Sequence, residues 1–211
     1  MINLIDSAIT SRVTTCLPWL ERWAGLVIPV QRKVQSGDGW ALKTFPVACG
    51  LATDCDDESK YQRVLPNSAY KSVGYLFQVG AAATRITGPK QSIISTSYRL
   101  RFVAWLNYQK LGVNDCAEGG AYELELIATL RKEFSIISDQ LSTPGTLRLS
   151  GFSIMPKDPA QVFGVFTQEQ QNIYFWPYGF IGIEFDATAQ INANCLTALE
   201  APSDITCLTE W

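Results

Sequence analysis

Two places in this chain bring side chains of the right type for chemistry close together. Cys49 and Cys55 precede Asp56, Asp57 and Glu58, a mixture of thiols and carboxylates that could in principle ligate a metal. A structural zinc site needs closely spaced ligand pairs, and a calcium loop needs a glycine and a fixed series of oxygen donors. Neither spacing is present, so the stretch reads as an exposed acidic loop beside two buried thiols. The second place is a set of paired carboxylates, Glu123 with Glu125 and Glu184 with Asp186. A glycosidase works with two carboxyls facing one bond. Here Glu123 and Glu125 fall on different flanks of a helical stretch, and Glu184 and Asp186 fall on the polar side of a strand, where solvated charge is the ordinary use.

The chain has no histidine, which removes Ser-His-Asp and Cys-His nucleophiles, histidine metal sites and the commonest general base together. There is no glycine-rich phosphate loop with its lysine; Gly119-Gly120 reads as a flexible entry to the helix after it. Trp19, Trp23, Trp40, Trp105, Trp176 and Trp211 are scattered along the chain, which fits core and interface packing better than a sugar platform. The expectation is a chain with no catalytic residue, no metal ligand and no cofactor.

The elements that would position any site are more legible. Asn3 to Thr15 reads as an amphipathic helix, with Ile5, Ile9, Val13 and Cys16 on one face. Pro18 suits the start of a short second helix through Trp19, Leu20 and Trp23, ended by Gly25. Leu26 to Val34 is β-branched, with Pro29 marking an edge or a bulge. Ser36 to Gly39 is a turn, and residues 39–67 read as an irregular insertion. Val73, Tyr75, Phe77 and Val79 line one side of a strand, followed by a small-residue bend at Gly80 to Ala83 and a turn at Gly88-Pro89. Ile93 to Tyr108 runs back antiparallel, with Tyr98, Leu100, Phe102, Ala104, Leu106 and Tyr108 on one side and Arg99 and Arg101 opposite. From Tyr122 the spacing changes to a helix carrying Leu126, Leu130, Phe134 and Ile137. Leu147 to Met155 and Tyr178 to Asn192 are strands, the latter with Ile181, Ile183, Phe185, Ala187, Ala189 and Ile191 inward. The fold class is α+β: a mainly antiparallel twisted sheet flanked on one side by an N-terminal helix and a mid-chain helix, with Ile181, Ile183 and Phe185 under Leu126, Leu130 and Phe134.

At 211 residues the chain is long enough for one sizeable core. Hydrophobic residues make up 47% and charged ones 18%, a globular balance whose low charge suggests surface covered by partners. A net charge of -3 gives no basic field for tight, sequence-reading nucleic-acid binding. No apolar run is long enough to span a bilayer, and Met1 to Thr15 lacks the regions of a secretory signal. Six cysteines, Cys16, Cys49, Cys55, Cys116, Cys195 and Cys207, are expected as free thiols of a protein assembled in the cytosol. Three disulfides would instead mark a secreted ligand-binding module.

In the order of its elements the chain resembles the phage tail-terminator (tail completion) family. The resemblance is carried by the helix Asn3 to Thr15, the strand Tyr98-Arg-Leu-Arg-Phe-Val-Ala-Trp-Leu-Asn107, and the helix Tyr122 to Phe134. It continues in a last strand pair, Thr146 to Pro156 and Tyr174 to Phe185, joined by a polar loop from Lys157 to Asn172. It covers residues 3–34 and 70–194; the 39–67 insertion and a C-terminal extension at 195–211 have no counterpart. What the resemblance implies is a virion structural protein of the head-to-tail junction. It would form a homo-oligomeric ring of six subunits that caps the tail tube and contacts tail-tube and neck proteins, with DNA only passing through the lumen. Another neck or baseplate adaptor is the alternative within that class. The docking surface is expected in the long loop, where Phe163, Val165 and Phe166 have little to bury against, together with Trp176 and Tyr178.

Overall fold

The structure, a computed structural model, describes residues 2–36, 39–48, 64, 67–88, 92–113, 120–131, 134–136, 145–164, 166 and 175–192. The first helix, α1 (Ile2–Cys16), buries Ile5, Ile9 and Val13 completely. A stripe spaced by four continues to Leu17, which is buried, so Cys16, one position short of it, lies exposed.

No second helix follows. Strand β1 (Arg22–Ser36) starts three residues before the glycine expected to end that helix, and Gly25 sits at φ 69 where the register of its parallel pairing with the strand Ser72–Gln78 shifts between Trp23 and Leu26. A left-handed glycine serves a bulge as readily as a helix end. The bulge is held by α1. The Leu26 amide donates to Asp6 Oδ1 at 2.8 Å, and Trp23 Nε1 donates to Thr10 Oγ1 at 2.8 Å. Burial pushes the Asp6 carboxyl above its ordinary value, and the bonds from Leu26 and Thr10 offset part of that.

Strand β2 (Gly39–Ala48) is regular, which corrects the reading of the whole 39–67 stretch as irregular. It pairs antiparallel with β1 from Ser36↔Gly39 to Val27↔Ala48; the cysteine and acid cluster from Cys49 onward lies outside the described residues. β3 (Ser72–Gln78), β4 (Ala83–Thr87) and β5 (Ile93–Asn107) follow, then α2 (Gly120–Leu130), β6 (Phe134–Ile136), β7 (Gly145–Ile154), α3 (Pro159–Phe163) and β8 (Tyr178–Asn192). The expected helix through Phe134 therefore stops at Leu130, and Phe134 belongs to a strand laid against Leu147. Together these strands form one mixed, eight-stranded sheet ordered β2-β1-β3-β5-β8-β7-β6, with β4 on the β3 side of β5. Every ladder is antiparallel except β1 with β3. The fold is α+β.

The sheet has two faces, and both carry apolar clusters. On the inner face, Leu100, Phe102, Ala104 and Leu106 of β5 meet Ile181, Ile183 and Phe185 of β8. α1 and α2 cover them with Ile5, Ile9, Leu126 and Leu130. Phe185 is stacked on Phe152 at 5.4 Å. At about 25 cal/mol per Å2 of apolar surface removed from water, this layer is the main source of stability. On the outer face, α3 and Phe166 cover Tyr75, Phe77, Val103 and Phe180.

Candidate docking surface

The outer face changes character along β5 and β8. At one end Trp105 stacks on Tyr178 at 5.1 Å, and around that end of the sheet Tyr108, a member of the inner cluster, stacks on Trp176 at 6.1 Å. The Tyr108 amide donates to the Pro177 carbonyl at 2.9 Å. Trp176 precedes a cis bond to Pro177. Of the expected docking residues, Trp176 is 51% exposed and its neighbour Phe175 69%, while Tyr178 is half-buried. These rings form an open aromatic corner held in place from beneath by Trp105 and Tyr108.

Next along the face comes α3, and here the expectation is corrected. Phe163 and Phe166 are only 4% and 6% exposed. Phe166 meets Phe77 edge-on at 5.1 Å and Tyr75 at 5.8 Å, and Phe163 lies against Phe180 at 5.6 Å. The sequence reading left these phenylalanines no surface of their own to cover because it dressed the sheet on one face only. Val165 lies outside the described residues. α3 starts at Asp158, whose side chain accepts from the Ala160 amide, and Pro159 takes the first turn. It sits close because Gly182 of β8 lies under it: a Cβ there would stand 2.8 Å from Val162 Cγ1.

Arg101 locks the far side of α3. Its Nη1 donates to the Gln161 carbonyl at 2.6 Å, and its Nε donates to Glu184 Oε1 at 2.9 Å, while the guanidinium covers the Phe77 ring at 5.1 Å. Arg99 reaches Glu184 at 3.0 Å and Asp186 at 3.4 Å. Burial alone would raise the Glu184 carboxyl, but hydrogen bonds from Arg101 and Arg99, with their charges, carry it below its ordinary value. Glu184 is thus an ion-pair partner and not a free acid, and this carboxylate pair is structural. Of the other pair, Glu123 is buried and bonded to Lys157, whose Nζ also approaches the Phe180 carbonyl at 3.4 Å, while Glu125 faces solvent. Beyond the arginines the face turns polar, with Ser97 and Thr188 bonded at 2.9 Å.

A second exposed apolar surface escaped the sequence reading. β1 pairs with β3 only as far as Val27, so from Ile28 to Ser36 its one ladder partner among the described residues is β2. One side of this ribbon gathers Ile28, Val30, Val34, Phe45 and Val47. The other presents Trp40, 70% exposed, and Leu42, 64% exposed, beside Lys33 and Gln35 in register. The signal that could have found it was the β-branched run of β1 followed by the turn at Ser36 to Gly39, which calls for an antiparallel partner directly after it.

Among the described residues no three His, Cys, Asp or Glu side chains come together as a metal site, and no helix is long and apolar enough to cross a membrane. The expectation of free thiols can be followed only at Cys16, which is free; the other five cysteines lie outside the described residues. The sequence matches no protein-family model and no curated protein.

Proposed function

We propose that this chain is a virion structural protein of the head-to-tail junction of a long-tailed phage. Copies of it close into a ring, six by the family resemblance, that caps the tail tube, joins it to the neck and lets DNA pass through the lumen. The observation that carries this reading is the β1–β2 ribbon. A ribbon side that presents Trp40 and Leu42 to solvent gains most by lying on another chain. The exposed corner at Phe175 and Trp176 lies on a different part of the sheet. Two unlike apolar surfaces on one chain are what a head-to-tail contact needs, and such contacts generate closed rings when the rotation closes. Aromatic anchors of this kind dominate interface energies.

Replacing Trp40 and Leu42 together by Ser tests this. Both side chains are exposed, so the circular dichroism spectrum and thermal midpoint of the isolated chain are expected to hold while ring assembly and tail completion fail. Normal assembly by W40S/L42S would remove the ribbon from the contact and take away the main support for the reading.

A further inference from the structure

Among the described residues the outer edge of β7 is only partly occupied. β6 pairs with Gly145, Thr146 and Leu147, and from Arg148 onward that edge has no ladder partner among the described residues. Beside it opens a cleft of about 560 Å3, walled by Ile127 of α2, by Arg131 just beyond the end of that helix, and by Arg148 to Phe152 of β7. Its floor is apolar: Leu149 is buried, and Phe152 packs on Phe185. A cation flanks this edge on each side of the sheet: Arg131 on the α2 side, and Arg148, in register with Thr188 of β8, on the outer side. Neither Arg131 nor Arg148 has a hydrogen bond or ion pair among the described residues.

An open strand edge with an apolar floor and two free guanidinium groups selects an extended segment that bears carboxylates between apolar side chains. This chain carries such a segment directly after β8. Residues 193–211 contain Glu200, Asp204 and Glu210 and no Lys or Arg. Asp204-Ile205-Thr206-Cys207-Leu208-Thr209-Glu210 is rich in the β-branched and apolar types that suit an added strand. Reach is not limiting. Gln190, near the end of β8, pairs with Thr146 of β7, so the chain leaves the sheet one strand away from the open lane. The distance along that lane to Phe152 is about 20 Å at strand rise, and a 19-residue segment extends to roughly 60 Å. A tether of this length holds the segment at an effective concentration near the millimolar range.

We infer that the cleft between α2 and the open edge of β7 is the docking groove for this chain's own acidic segment 193–211, whose carboxylates meet Arg131 and Arg148. The groove uses neither the ribbon nor the aromatic corner, so it stands apart from the ring reading. Covering the edge also protects it from unwanted strand pairing.

The test is a full-length chain with a photo-crosslinking p-benzoylphenylalanine at Ile127, illuminated as a mixture of isotopically heavy and light copies. The expected product joins position 127 to a peptide within 193–211 of the same copy. R131E/R148E is expected to lower its yield roughly tenfold, and E200K/D204K/E210K in that background to restore it. R131Q/R148Q, which keeps side-chain bulk without charge reversal, is expected to lower the yield less. Crosslinks to another segment, heavy-to-light products in place of same-copy ones, or a yield indifferent to both arginine pairs would overturn the inference.

Discussion

Phe185→Ala probes the packing on which every surface described above depends. The Phe185 ring has no exposure, is stacked on Phe152 at 5.4 Å, and stands opposite Leu100 in the β5–β8 ladder within the layer closed by Leu126 and Leu130. Truncation removes a ring of roughly 100 Å3; at about 24 cal/mol per Å3 of cavity, added to the lost transfer energy of the ring, the cost is about 3 to 5 kcal/mol. For a chain of 211 residues, 1 kcal/mol lowers the thermal midpoint by about 2 to 4 °C, so the variant is expected to melt roughly 6 to 20 °C below the parent. Urea unfolding followed by tryptophan fluorescence, with Ile86→Ala on exposed β4 as a control expected within about 0.5 kcal/mol, measures it. A loss below about 1 kcal/mol for Phe185→Ala would refute the assignment of that face to the core.

Three further outcomes follow from the outer face. Because Arg101 and Arg99 depress the Glu184 carboxyl, that pair adds stability above the unfolded carboxylate value near about 4.3, and the gain is lost as pH falls through the lower folded value. Glu184→Gln should be less stable than the parent at neutral pH and converge on it in acid; parallel pH profiles would contradict the pairing. Gly182→Ala places a methyl against Val162 and should raise proteolysis around α3 while leaving the inner layer protected in hydrogen exchange; an unchanged digestion pattern would mean that α3 does not seat there. Phe163→Ser with Phe166→Ser should lower stability by about 2 kcal/mol or more, as burial of both rings requires, whereas Trp176→Ser should leave stability within about 1 kcal/mol; the reverse ranking would restore the loop as an exposed surface.

How much of this was legible depended on whether a local signal had competition. β5 and β8 were clear because over part of their length one side faces a thick core and the other a polar network, so period two survives along Tyr98 to Phe102 and Ile183 to Ile191. α1 was clear for the same reason at a spacing of four. Pro18 and Gly25 misled because each is a helix terminator and a bulge or turn residue alike; contact with Asp6, distant in sequence, decides which. β2 was missed because Pro46 lies within it and because its apolar residues divide between its two faces, Trp40 and Leu42 on one and Phe45 and Val47 on the other, which blurs alternation although its partner β1 is the strand just before it. Phe134 fell in helical register with Leu130 by spacing, yet cross-strand pairing with Leu147 fixes it in β6. The docking phenylalanines were misplaced because covering the second face requires α3 to fold back over Gly182, a tertiary event with no periodic signature. The parallel β1–β3 pair was likewise invisible: nothing in either segment reports its neighbour.

The central claim is that copies of this chain close on one another through unlike apolar surfaces. The mass of the native particle, taken by native mass spectrometry across a concentration series and on material released from assembled virions, tests it most directly. The account predicts a discrete closed oligomer, six copies by the family resemblance, that dissociates to folded monomers when Trp40 and Leu42 are replaced by Ser. A strictly monomeric chain in solution and in virions alike would contradict it.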